Sequence, residues 1–539
     1  MLGLPHDPRP GGGTTPQDPE SGPAHWFLTA EERDNPATAL DRRRPERASW
    51  STGNLAQPLI DGTECFERLV AELDDVHAGD QIFLAAWIGV RDKPLDEAGH
   101  ALGELLARAL DAGASVHALF WWPFLTLRRD LIPDNRRFVT ALRRRGGAPL
   151  LDQRVRPIGC HHQKFLVIRR PRRPDTDVAF VGGIDPCPSR RDDERHCGDP
   201  DVQASIDDRY GTRPAWHDAH LLVRGPAVDD VEHCFRERWA DAAASRRGPI
   251  SRTRRLLSPR RPAPLPTRLP PPPRAGTCSV QLLRTYPAKR PRYPFAPQGE
   301  RSVARGCVKA LRHARRLVYV EDQFLWSPVV AEAFAAALRR EPELRLIAVV
   351  PRLPEKGGTV EIATNGVAHG KALDLLRAAG GDRVDVYDLE STAGLPIYLH
   401  SKVCVVDDRW AAVGSANLNR RSWAYDSELT AAVVDEEPGG GAFAQDLRLR
   451  LWREHLGREP GRTSDLTDPV EGADVLRGAA DRLDRWHEAA EPAPRPPGHL
   501  RGHARPAVSP LTRAWAVPVE RVVMDPDGRP ARLRGRDQW

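Results

Sequence analysis

At two places in this chain a histidine, one further residue and a lysine open an apolar strand. CHHQKFLVI carries His162 and Lys164, and LHSKVCVVDD carries His400, Lys402 and Asp407. Each is followed by a second apolar run that ends in small residues. AFVGGID supplies Gly182, Gly183 and Asp185, and AAVGSAN supplies Gly414, Ser415 and Asn417. Cleaving a phosphodiester without a metal ion takes a nucleophile, an acid for the leaving oxygen and positive charge on the non-bridging oxygens. Histidine serves in either of the first two roles, because it titrates near neutrality. One imidazole cannot attack phosphorus and protonate the leaving group on the opposite face, so in-line displacement calls for two. The two lysines, the Asn417 amide and the Ser415 hydroxyl are suited to hold the oxyanion. A carboxylate on the other ring nitrogen would fix each histidine's tautomer. Asp218 and Glu428 are the candidates, each at the start of the strand after its own hairpin, with Asp426 as the alternative to Glu428. A lone HxK is common by chance; a matched pair on equivalent hairpins is not.

The elements that must position these residues also come in two sets. After a stretch without periodicity (1–52), expected to be disordered, a helix over DGTECFERLVAELDDV, a strand at 81–90, a helix at 101–113 and a strand at 115–122 follow. A helix at 134–145, a strand at 149–152, the first HxK hairpin and the strand AHLLVRGPAV complete this set, taken as a half spanning 53–248. A Pro/Arg-rich linker (249–276) favours polyproline II. The order then starts again over 277–460, with helices at 300–313, 329–340 and 367–379 and strands at 315–325, 344–350 and 383–389. The second hairpin and the strand ELTAAVVDE close it. Residues 461–539 hold one amphipathic helix (467–489), a Pro-rich tail and an expected hairpin at DPDG. Strands alternating with helices in a repeated order predict an α/β fold, two duplicated sandwich halves around one shared site.

Composition agrees with an enzyme of this size. A 539-residue chain with 40% hydrophobic residues can bury two cores, and a net charge of +6 is mild. Only seven of the 80 basic residues are lysines, so a lysine in each motif is more telling than an arginine would be. No run approaches about 18 apolar residues, and the N-terminus shows no secretory pattern. Eight scattered cysteines predict reduced thiols and a cytoplasmic protein, with Cys404 a small core residue. Cys160, His161, His162, His196 and Cys197 fit no common zinc spacing, so no metal and no cofactor are expected. His161 and His217 are read as neighbours of the catalytic groups, and Glu321 and Gln323 as substrate contacts or structural residues. The runs RRPRRP and RTRRLLSPRRP read as solvated loops.

Over roughly residues 53–460 the strings resemble the phospholipase D superfamily, whose motif is HxKxxxxD followed by GSxN or GGxN/D. HHQK, AFVGGID, WHDAHLLVRGPAV, FRERW and VYVEDQFLWS are similar to segments of its eukaryotic and actinobacterial members. The resemblance implies a covalent phosphohistidine, with His162 as nucleophile and His400 as general acid and then base. It also implies that Lys164, Lys402, Ser415, Asn417 and Asp185 face the phosphate, and that Asp218 and Glu428 orient the histidines. Asp407, Gly182, Gly183 and Gly414 shape the hairpins. The substrate implied is a glycerophospholipid at a membrane surface, met peripherally by a monomer, with water or an alcohol as acceptor. Nucleic acid is not expected. A phosphatidyltransferase of the cardiolipin synthase kind, a nuclease of the superfamily and an inactive phosphate- or lipid-binding relative are the alternatives. Arg169 departs from the pattern, standing where the first motif should carry aspartate. That position has no part in the chemistry, so activity is expected to survive the change.

Overall fold

A computed structural model describes residues 22–43, 48–123, 132–203, 206–244, 263–325, 327–355, 359–436, 442–489, 494–505, 509–534 and 539. The first set of strands is β1 Ser51–Ile60, β2 Gln81–Ala86, β3 Ser115–Trp121, β4 Ala148–Asp152, β5 Phe165–Arg169, β6 Val178–Gly182, β7 Trp216–His217 and β8 Ala219–Arg224. The second is β9 Cys278–Tyr286, β10 Glu300–Arg301, β11 Leu317–Asp322, β12 Arg345–Val349, β13 Val384–Leu389, β14 Tyr398–Leu399, β15 Lys402–Val406, β16 Trp410–Gly414 and β17 Glu428–Asp435. A last strand, β18 Leu500–Gly502, joins the far edge beside β13.

The duplication is written into the sheet. Outward from the β1–β9 junction, one half runs β1-β8-β6-β5-β2-β3-β4 and the other β9-β17-β16-β15-β11-β12-β13-β18. Pairing directions match step for step. The β2-β3-β4 and β11-β12-β13 ladders are parallel, and every step from β2 to β1 and from β11 to β9 is antiparallel. Alternation along β5 and β15 divides their side chains between two cores. Phe165, Val167, Val403 and Val405 enter a core common to both halves, covered by the helices Ala227–Ala244 and Ala442–His455. Leu166 and Ile168 enter a core under the helices Asp61–Asp74, Leu102–Asp111 and Ile132–Arg144. Cys404 and Val406 enter the matching core under Ser302–His313 and Pro328–Arg340. The fold is the expected α/β arrangement, with both sheet faces covered.

Three expectations need correction. Residues 22–43 are ordered. Trp26, Phe27 and Leu28 are buried in the second half's outer core, and Arg33 pairs with Asp41 (2.7 Å) and Glu300 (3.0 Å). A polar composition hid three adjacent apolar anchors. Ser51 and Thr52, counted with the stretch expected to be disordered, open β1, the strand at the junction of the two halves, obscured by Gly53, Asn54 and Pro58. The DPDG hairpin does not form; Asp525 instead accepts the Arg421 N–H (2.7 Å). The described part of the linker, 263–276, lies along the first half: Pro264 and Thr267 carbonyls accept from His117 (3.0 Å) and Gln81 (3.1 Å). The rest of it falls outside the described residues. Among the described residues no helix is long and apolar enough to cross a membrane.

Candidate active site

Each HxK segment is held by the opposite half. β14, just before His400, pairs in parallel with β7 of the first half, so Tyr398 faces Trp216 and Leu399 faces His217. The His400 N–H donates to the His217 carbonyl (2.8 Å). The mirror image holds the first motif. His161 bridges Ser427 in parallel, the His162 N–H donates to the Ser427 carbonyl and the Ser427 N–H to the Cys160 carbonyl, both at 2.9 Å. The carboxylate next in sequence after each of these anchors then meets the histidine of the other half. Asp218 Oδ2 lies 2.7 Å from His400 Nδ1, and Glu428 Oε2 lies 3.0 Å from His162 Nδ1. The Ser415 carbonyl also sits 3.0 Å from His162 Nδ1. A carbonyl only accepts, so Nδ1 carries the proton and Nε2 presents its lone pair.

Electrostatics keep both imidazoles neutral. Burial, then the charges of Lys164 and Lys402, push His162 well below the usual histidine range. Burial, then Lys402 and Arg190, do the same to His400. A lysine of one half thus acts on the histidine of the other, as one shared site requires. Lys164 sits 3.1 Å from Asp185 and Lys402 sits 3.2 Å from Gln323 Oε1, and each ammonium donates to the carbonyl of its own motif histidine. Burial pushes Glu428 up to about 7, against the pull of Ser415 and Lys164. Burial also pulls Lys402 down to about 8, against the opposing pull of Asp218 and Asp322.

These two values predict a pH profile. Below about 7 Glu428 gains a proton and no longer accepts from His162 as an anion. Above about 8 Lys402 loses the charge that would meet phosphate. A bell in kcat/KM with limbs near these values is the expected result, since that quantity reports the free enzyme. Lys402→Arg should move the alkaline limb beyond the measurable range, because guanidinium stays charged. An alkaline limb that stays put in this variant would remove Lys402 from the assignment.

The other expected residues divide. Asn417 is buried, and its Oδ1 meets no hydrogen-bond partner among the described residues; a phosphate oxygen would have to be met by its Nδ2 donors. Ser415 Oγ donates to Glu428 Oε2 (2.5 Å) and accepts the Leu429 N–H (3.1 Å), so it supports the orienting carboxylate instead of facing phosphate. Asp185 is a second correction. It accepts from Lys164 and from the Trp87 (3.1 Å) and Ile88 (3.3 Å) amides, and an anion so placed positions the lysine rather than binding phosphate. A Cβ at Gly183 would lie 2.2 Å from Asp218 Oδ1, so only glycine leaves room for that carboxylate. Gly182 and Gly414 pass equally close to His220 and Thr430. Asp407 lies at the far end of β15 and accepts the N–H groups of Arg315, Arg316 and Leu317 (2.7–2.8 Å), a purely structural task.

His161 pairs with Asp152 (3.0 Å) behind the site, and Glu321 is buried against His217 (3.0 Å) instead of facing substrate. The five residues weighed as a zinc site do not converge: His162 faces Glu428, while His196 lies by Glu454. Sequence reasoning missed Trp87, whose ring stands 5.4 Å from Lys164 Nζ and 5.7 Å from the His162 ring. Alignment of the two halves would have found it. Ala85 pairs with Phe165 as Glu321 pairs with Val403, so Trp87 occupies the slot of Gln323, the partner of Lys402.

Residues 82–284 match the family model described as Phospholipase D, and residues 308–452 match the model described as Cardiolipin synthase, PLD-like domain. Phospholipase D1 of Schizosaccharomyces pombe is 26% identical over 411 residues, covering 60% of this chain and 29% of its own. Phospholipase D A of Dictyostelium discoideum is 26% identical over 481 residues, covering 74% and 35%. The chain thus spans about a third of the length of these relatives. Among solved structures, a phosphatidylserine synthase of Haemophilus influenzae Rd KW20 aligns over 81% of this chain and 94% of its own, at 14% identity and a TM-score of 0.48.

Proposed function

The chain belongs to the phospholipase D superfamily, and from that premise we propose that it is a phosphodiesterase that cleaves glycerophospholipids through a phosphohistidine. The observation that carries this reading is the crossed arrangement of two neutral histidines, each bonded at Nδ1 by the other half's carboxylate. Nε2 of His162 attacks phosphorus as the bond to the headgroup oxygen breaks, and His400 passes a proton to that oxygen. His400 then takes a proton from water or an alcohol, whose oxygen attacks phosphorus and displaces His162. Lys164, Lys402 and Asn417 hold the non-bridging oxygens; Ser415 and Asp185 support the groups that do so. Both histidines rest neutral in a site holding two ammonium groups. A bound phosphodiester brings the negative charge that lets His400 take up a proton from solvent, which it then gives to the leaving oxygen.

Vesicles of phosphatidylcholine with ethanol test the reading. Choline release with formation of phosphatidylethanol is the expected result, since an alcohol competes with water for the phosphohistidine. DNA cleavage without lipid turnover would replace the proposal with a nuclease, and lipid binding without turnover would replace it with a binding protein.

A further inference from the structure

Directly behind Asp218 lies a second cluster of ionisable groups that the phosphodiester chemistry does not use. Asp61, His196, His217 and Glu454 are all buried, and one ligand atom from each lies within 4.8 Å of the other three. The separations include 2.9 Å between His217 Nδ1 and Glu454 Oε1, 3.1 Å between His217 Nδ1 and Asp61 Oδ1, and 3.5 Å between His196 Nε2 and Glu454 Oε1. Four ligands at about 2.0–2.1 Å around a tetrahedral zinc ion stand roughly 3.3 Å from one another.

Hydrogen bonding does not account for this convergence. Neither ring nitrogen of His196 meets a partner in line, and the same holds for His217 Nδ1, Asp61 Oδ2 and Glu454 Oε1. His196 has only 3% of its surface exposed. Leaving such groups unmatched in a dry interior is costly. The tautomer of His217 is set from its other side. Glu321 accepts from His455 (2.8 Å), Tyr319 (2.5 Å) and Ser401 (2.6 Å), so it is an acceptor at His217 Nε2 (3.0 Å) as well. On the other side of the ring, His217 Nδ1 faces both Asp61 and Glu454, and this pair of carboxylates calls for a cation, a proton on Nδ1 or a metal ion. A carboxylate on the remote nitrogen is also the usual support of a metal-bound histidine. Two of the four residues, Asp61 (φ 63°) and His196 (φ 51°), hold left-handed backbone, which non-glycine residues keep only where the surroundings demand it.

We propose that Asp61, His196, His217 and Glu454 bind one divalent ion of the zinc class, with all four positions filled by protein. Such a closed set is structural. Three ligands come from the first half and Glu454 from the helix Ala442–His455 of the second, so the ion ties the halves together. It also sets the seat of Asp218: the Asp61 N–H donates to the Asp218 carbonyl (2.8 Å), and the Asp218 N–H donates to Asp61 Oδ1 (3.2 Å).

The full chain, purified without added metal and analysed by plasma mass spectrometry, should carry about one such ion. After chelation, Co²⁺ should restore about one equivalent with the visible bands of a tetrahedral site, and Zn²⁺ should displace it. Chelation should lower the melting temperature by about 5 °C or more. His196→Ala and Glu454→Gln should each lose the ion while keeping the wild-type circular dichroism spectrum. The proposal is overturned if the folded, chelated wild type takes up neither Co²⁺ nor Zn²⁺; the cluster is then held by protons on its histidines. It is equally overturned if both variants retain the ion. The wild-type titration decides the matter even where a variant fails to fold.

Discussion

His162→Ala and His400→Ala should each lower kcat/KM on a phospholipid by at least about 10⁴-fold, and the double variant should be little worse than either. The two residues act in one displacement, so removing either removes the reaction and the losses do not add. An aryl phosphodiester separates their roles, because nitrophenolate leaves without help from an acid. His400→Ala should release about one equivalent of nitrophenolate in a burst and then stall, since nothing activates water against the phosphohistidine. His162→Ala should show no burst. The assignment follows the family resemblance and the access to the two rings: the His162 side chain is 13% exposed and that of His400 7%. A burst in His162→Ala with none in His400→Ala would exchange the two roles. Turnover persisting in both would end the phosphohistidine reading.

The parts of this site that were legible in the sequence are local or repeated ones. HxK before an apolar strand, the glycines after the next, and the order of elements in each half are properties of short segments, and repetition made them stand out from chance. The same repetition puts β2 against β11 and so would have pointed to Trp87 from Gln323. What was not legible depends on how the halves dock. Asp218 and Glu428 were recognisable as orienting carboxylates, but not that each serves the histidine of the opposite half, since β7 meets β14 only across the junction. Asp185 read as a phosphate neighbour from its place in GGID. Its charge is answered by Lys164, a pairing that needs the backbone turn after β2. The buried cluster around His217 draws on residues 61, 196, 217 and 454, and no spacing rule joins positions so far apart.

Arg169→Ala should cost stability and spare catalysis. The side chain is fully buried at the distal end of β5, five residues from Lys164 and so about 16 Å along the strand. Its Nε meets Asp177 at 2.7 Å, one guanidinium nitrogen pairs with Glu232 and lies 3.6 Å from Asp229, and the other donates to the Pro270 carbonyl. It thereby joins the β5–β6 hairpin, the helix Ala227–Ala244 and the segment that leads to the second half. The second copy has a different solution at the matching position, where Asp407 gathers three backbone N–H groups at the entrance to β11. Removing the guanidinium leaves buried Asp177 without its side-chain cation and takes one of two from Glu232, which keeps Arg236, a loss of about 3–5 kcal/mol. Arg169→Asp, which restores the family's motif residue, should be worse still, because it places a fourth carboxylate among Asp177, Glu232 and Asp229. Urea denaturation should therefore order the stabilities wild type, Arg169→Ala, Arg169→Asp. Meanwhile kcat/KM of folded Arg169→Ala, measured at low temperature, should stay within about threefold of wild type, since the altered group touches nothing in the site. A collapse of kcat with an unchanged urea midpoint would place Arg169 in the catalytic machinery. A gain in stability on restoring aspartate would mean that the ion-pair cluster around Arg169 does not hold the strand in place.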